Sequence, residues 1–148
     1  MSLKERLLSD LKQSMKEKNT IKKSTITMVR AAILQVEKDK KVELNDQDII
    51  EIIAKQVKQR KDALEDFEKG ARQDLIEQTQ KEIDILEEYL PQQLSQEEIE
   101  NIVIETISEV GAVSIKDMGK VMGAIMPKVK GRADGAIVNK FVKRHLQG

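Results

Sequence analysis

An all-α protein, with an N-terminal bundle-like helical subdomain followed by a small three-helix tail domain, is what this sequence predicts, on three observations. Apolar residues recur at steps of three and four along most of the chain, the period of helices that bury one face. Aromatic residues make up only 2% of the 148 positions, so the core has to be built from Ile, Leu, Val and six Met, aliphatic side chains that suit helix packing. Only two prolines occur, and no stretch alternates apolar and polar residues as a half-buried strand would. A chain of this length buries about two thirds of its unfolded surface, enough for one ordinary domain or two small ones.

Each element has its own signal. Ser2 and Glu5 stand at capping-box spacing, and Leu3, Leu7, Leu8, Leu11 and Met15 follow at helical steps, predicting a first helix to about Lys18. A second, near 21 to 38, carries Ile26, Val29, Ile33 and Val36 on one face, and the polar stretch "KDKKVELND" separates it from a third. Asn45 can cap that third helix, whose positions Ile50, Ile53, Val57, Leu64 and Phe67 carry the stripe to about Lys69. Arg60 fills the one missing place in the stripe. It is open to two readings: an interhelical ion pair with an acidic residue such as Glu82 or Glu87, or a side chain that snorkels from the edge of the interface. The second is favoured.

Gly70 marks a stop or kink, and a fourth helix turns Leu75, Ile76, Ile83, Leu86 and Leu90 inward before Pro91. Ser95 and Glu98 repeat the capping-box spacing just beyond, so a new unit is expected there, dividing residues 1–92 from 95–148. In the tail, a fifth helix over about 96–110 stops at Gly111, a sixth starts at Ser114 and Asp117 and ends at Pro127, and a seventh runs from its cap Asp134 to about Leu146. Gly119 and Gly123 lie four apart in the sixth beside Met118, Val121, Met122 and Ile125. Two glycines in a helix suggest that something approaches closely, a neighbouring helix being the expected visitor.

The formal net charge is zero, but it is a cancellation. Residues 1–60 balance to +5, residues 61–110 to −11 and residues 111–148 to +6. In the last zone Lys140, Lys143 and Arg144 share one arc of the seventh helix, opposite Ile137, Val138, Phe141 and Val142. Lys128, Lys130 and Arg132 stand just ahead, in a segment punctuated by Gly131 and Gly135 that leads into a helix N-terminus. Backbone N–H groups and clustered cations suit phosphate. Stacking aromatics are missing, so folded RNA held by its phosphates fits better than single-stranded bases. The competing reading is a solvated basic face.

Other chemistry finds little footing. The single histidine, His145, sits near a helix C-terminus, where a structural role is expected. No phosphate loop, nucleophile elbow or His-Glu-x-x-His motif occurs, and no catalytic residue, cofactor or metal is expected. Without cysteine there is no disulfide or thiolate, which fits a reducing compartment. The N-terminus lacks an apolar signal core and no apolar run approaches the roughly 20 residues of a membrane span. The expectation is a cytoplasmic protein with no membrane partner.

The stretch "KDMGKVMGAIMPKVKGRADGAIVNKFVK", residues 116–143, resembles the tail signature of the GatB/YqeY family, and residues 57–99 resemble its central region. The likeness spans nearly the whole chain and is strongest to free-standing YqeY-type proteins. It implies an α-helical N-terminal part joined to a helical tail. In the B subunit of tRNA-dependent amidotransferase, the tail helps to grip tRNA, and the residues here that match its element are Lys128, Lys130, Gly131, Arg132, Asp134 and Gly135. The catalytic cradle of that subunit has no counterpart in this chain, so the family label of carbon–nitrogen ligation with glutamine as amido donor comes by inheritance. The resemblance implies a tRNA-binding accessory protein without its own catalytic site. The alternatives are an interaction adaptor with a translation-related protein partner and a basic tail that only solubilises, or true ligase activity.

Overall fold

In the computed structural model, which describes residues 1–147, the described residues form seven α-helices and one short 3-10 turn, with no strand. The protein is all-α, and the chain divides into two compact units, Met1–Leu90 and the residues from Pro91 onward.

The first unit holds α1 (Leu3–Lys16), α2 (Thr20–Lys40), α3 (Asp46–Lys69) and α4 (Gln73–Glu87). Short polar side chains start three of them: Ser2 Oγ accepts from the Glu5 N–H, Asn19 Oδ1 from the Lys22 N–H, and Asn45 exchanges bonds with Asp48 in a full capping box. The first helix ends two residues earlier than expected because Lys18 turns left-handed (φ 56°) and Asn19 is already the next cap. Leu7, Ile26, Val29, Ile49 and Ile53 are fully buried, and Ile83, Leu86 and Tyr89 join their cluster.

Two polar devices tie this core together. Tyr89 is buried and its hydroxyl donates to Asp10 Oδ2, while the Arg6 guanidinium lies 4.5 Å from the ring centroid and donates to the Glu88 carbonyl at 3.1 Å. Burial, then the Asp10 carboxylate, holds the phenol well above its ordinary range. Arg60 departs from its favoured reading. Rather than snorkelling, it donates from Nε to Glu82 Oε1 at 3.2 Å, with the two side chains 11% and 19% exposed, so α3 and α4 are joined by a half-buried ion pair.

The second unit holds α5 (Gln96–Val110), the 3-10 turn Ile115–Asp117, α6 (Met118–Val129) and α7 (Gly135–Gln147). Ser95 and Glu98 complete a capping box at the start of α5, and left-handed Gly111 (φ 68°) ends it. Val103, Val121, Ile125, Val129, Val138 and Val142 form a fully buried aliphatic core.

Two expectations for α6 fail. The helix does not stop at Pro127 but runs through it to Val129. Proline lacks an N–H and crowds the carbonyl four residues back. That residue is Gly123, exposed to water, so its unpaired carbonyl stays solvated. Nor does any element press on Gly119 or Gly123, since a Cβ built at either position meets nothing within 4 Å.

Candidate nucleic-acid interface

The predicted site residues fall in two places in the second unit. Lys128, Lys130, Gly131 and Arg132 lie at the α6–α7 turn, Gly135 opens α7, and Lys140, Lys143 and Arg144 lie on the outer face of α7.

The turn is fixed by backbone. Gly131 is left-handed (φ 74°), a conformation that costs other residues about 1–2 kcal/mol. The Arg132 N–H donates to the Val129 carbonyl at 2.8 Å. The segment before α5 latches it from outside: the Leu94 N–H donates to the Arg132 carbonyl at 2.8 Å and Gln93 Nε2 to the Gly131 carbonyl at 2.9 Å. Asp134 Oδ1 then accepts from the Ala136 N–H at 2.9 Å, which directs the chain into α7. Gly135 is not sterically demanded, since a Cβ there would meet Met126 Cε at an ordinary 3.8 Å.

Val138, Val142 and Leu146 anchor α7 in the core, which leaves Lys140 and Lys143 in solvent with no ion pair among the described residues. Their positions, three residues apart, lie about 4.5 Å apart along the axis. Arg144 is less available. Its guanidinium stacks 4.8 Å from the Phe141 centroid and lies 4.0 Å from Glu100, which also binds His145 Nε2 at 2.9 Å. His145 thus ties α7 to α5, in line with the structural role expected of it.

Lys128 is committed to the protein itself. Its Nζ donates to Glu109 Oε2 at 2.7 Å and to Thr106 Oγ1 at 3.0 Å, and this contact holds the Glu109 carboxyl below its ordinary range. Sequence spacing placed Lys128 with the phosphate-facing group but could not show that α5 presents a carboxylate to it. The charge map changes too. From residue 91 onward, eight Lys and Arg face seven Asp and Glu, so the second unit is nearly neutral, with anions on α5 and cations on the turn and α7.

Over residues 4–146 the chain matches the model of the family described as Yqey-like protein. The Altered inheritance of mitochondria protein 41 of Pyrenophora tritici-repentis is 31% identical over 147 residues, covering 96% of this chain and 77% of the relative. The protein of that name from Kluyveromyces lactis is 36% identical over 111 residues, 70% of this chain and 57% of the relative. A shorter match, 40% identical over 58 residues, joins 36% of this chain to 9% of a glutamyl-tRNA(Gln) amidotransferase subunit from Thermococcus gammatolerans.

The cytoplasmic location expected from the sequence is overturned here, because the two fungal relatives are named as mitochondrial proteins. The reason for the error is physical. A missing apolar core argues against a secretory leader, whereas mitochondrial targeting segments are amphipathic and basic, so that observation never separated the two compartments. Matched from residue 4 to residue 146 by the family's own model, the chain belongs to the Yqey-like protein family.

Proposed function

We propose that the second unit is an RNA-facing module, with tRNA or another structured RNA as its ligand, and that the protein works as an accessory factor without a catalytic centre of its own. The observation that carries this reading is the outer face of α7, where Lys140 and Lys143 stand exposed, with no ion pair among the described residues, beside the turn bearing Lys130 and Arg132. Likeness to an amidotransferase subunit whose name includes a tRNA supports it over 58 residues. Contacts are to phosphates, because Val138, Val142 and Leu146 are buried, the half-buried Phe141 ring is already stacked against Arg144, and the outer face of α7 offers chiefly cations.

Arg132 and Lys130 bring the first contacts at the turn, Lys140 and Lys143 the next along the helix, and Arg144 joins if it leaves Glu100. Lys128 is left out of the contact set. With four or five phosphates neutralised, the affinity for tRNA falls with salt at a log–log slope of about −3.5 to −4.5. A filter-binding or fluorescence titration of the full chain with tRNA across a salt series tests this. Replacing both Lys140 and Lys143 by Glu weakens binding at least about tenfold at low salt and flattens the slope by about two. Lys128→Met changes the slope little. No binding at low salt, or binding indifferent to salt, overturns the proposal.

A further inference from the structure

Arg60 meets partners on three helices, and the weakest of its bonds is the one that chemistry can change. Its Nε donates to Glu82 on α4 at 3.2 Å and its Nη1 to the Gln56 carbonyl of α3 itself at 3.3 Å, while Nη2 donates to Met28 Sδ on α2 at 3.6 Å. A thioether sulfur is a poor acceptor, so α2 is the least firmly held of the three. The two ends of this contact also differ in access. The Arg60 side chain is 11% exposed and fixed by its other bonds. Met28 is 52% exposed, so a small polar oxidant in water reaches its sulfur while the guanidinium behind it stays in place. Met15 is nearly as exposed, at 48%, but among the described residues the sulfur of Met28 alone meets a charged donor.

We propose that Met28 is a site of sulfoxidation by hydroperoxides and that Arg60 captures the sulfoxide, which tightens α2 against α3 and α4. In the step, a sulfur lone pair attacks the outer oxygen of the hydroperoxide. The S–O bond forms as the O–O bond breaks, so the sulfur loses two electrons and the peroxide gains them. The proton of the transferred oxygen passes to the departing one, which leaves as water or an alcohol. The product exchanges a soft acceptor for a strongly polar S–O group. With nitrogen and sulfur 3.6 Å apart, an oxygen set to one side of the line between them lies within hydrogen-bond distance of Nη2. A charge-assisted bond then replaces the weak one. Sulfoxide sulfur is chiral, and with the side chain unmoved one epimer aims its oxygen at Arg60 and the other does not. The site therefore selects a configuration as well as a residue. The proposal is independent of the RNA reading, and its test uses no RNA.

The experiment uses the full chain with Met15, Met118, Met122 and Met126 replaced by Leu, changes of similar volume, and a control chain that also carries Met28→Leu. Both are treated with hydrogen peroxide. Peptide mass spectrometry is expected to find Met28 sulfoxide with one epimer ahead by about four to one or more, read by digesting the chain and treating the peptides with each epimer-specific sulfoxide reductase. In urea, oxidation should raise the folding equilibrium constant at least about threefold, while the control chain is unchanged. Arg60→Lys keeps a cation near Glu82 but lacks the fork that reaches two helices at once, so it should abolish both the epimer preference and the gain. Met28→Gln offers Arg60 an amide oxygen without any oxidation and should be at least as stable as Met28→Leu, a comparison that does not depend on the Arg60 variant folding. A Met28 left unoxidised, equal epimers, a folding constant that falls on oxidation, a folded Arg60→Lys chain that behaves as its parent, or Met28→Gln less stable than Met28→Leu would each overturn the proposal.

Discussion

At the scale of single residues, the end of α3 shows how a fold can accept a local cost. The Arg72 N–H donates to the Phe67 carbonyl at 3.0 Å and the Ala71 N–H to the Glu68 carbonyl at 3.2 Å, the paired bonds of a Schellman ending. The left-handed position of that motif is filled by Ala71 (φ 52°), while Gly70, one residue earlier, has φ −85° and needs no glycine. Ala71→Gly is therefore expected to stabilise the protein by about 0.5–1 kcal/mol, the relief of a left-handed Cβ less the extra freedom of the unfolded chain. Urea denaturation at unchanged slope measures it, and a loss of stability would disprove it. The sequence located the helix stop at Gly70 but not which of the two residues turns, because composition marks a glycine without its dihedral.

Arg60 belongs to the same scale. Both acidic candidates turn out to be engaged, Glu82 by Arg60 at 3.2 Å and Glu87 by Lys61 at 3.3 Å. A helical wheel shows which way Arg60 points, but the register of α4 against α3 decides which carboxylate stands opposite, and that is a tertiary fact. Arg60→Ala leaves Glu82 partly buried without its cation and should cost about 1–3 kcal/mol. Replacing both residues by Met and Leu should recover much of that loss, as a double-mutant cycle in urea would show.

Among the elements, caps were the legible part and close approaches the illegible part. Ser95 and Glu98, Asn45, and Asp134 all stand where the sequence put them, because a cap is a contact within four residues. The glycines of α6 mislead for the converse reason: the sequence shows missing side chains but not what fills the space. Nothing does. Gly123→Ala should therefore stabilise α6 by up to about 1 kcal/mol, the ordinary propensity gain in an exposed helix interior. A rise in the thermal midpoint of the second unit checks this, and a fall would mean that the flank is occupied after all. The candidate site divides in the same way. Lys140, Lys143 and Arg144 shared an arc by periodicity alone, whereas the capture of Lys128 by Glu109 depends on α5 packing beside α6.

For the whole molecule, the three charge zones of the sequence do not follow the two compact units. Residues 1–90 carry 18 Lys and Arg against 19 Asp and Glu, and the remainder eight against seven, so each unit is near neutrality. Stability against pH is set by particular pairs rather than by net charge. In the first unit, Glu37 accepts from Lys4 and from the Leu44 N–H at 2.8 Å; the first contact leads in lowering the Glu37 carboxyl from 4.5 and in raising Lys4 from 10.5. In the second, Lys128 lowers Glu109 from 4.5, and the Val113 N–H leads in lowering Asp117 from 3.8. A lowered carboxylate contributes stability that is present above its unfolded value and is lost as pH falls through the folded one. Both units should weaken below about pH 4, within the ordinary carboxylate range. A raised group contributes stability that is present below its unfolded value and is lost as pH rises through the folded one. Tyr89, raised from 10.0 chiefly by burial, and Lys4 both belong to the first unit. Alkali should therefore loosen α1–α4 first, from about pH 10 upward, while α5–α7 keep their protection. Amide hydrogen exchange followed by peptide from acid to alkali, corrected for the intrinsic exchange rate, reads the two units separately. Equal loss in both above pH 10 would show that the Tyr89 and Lys4 contacts do not set the alkaline limit, and Tyr89→Phe with Lys4→Met should in that case leave the profile unchanged.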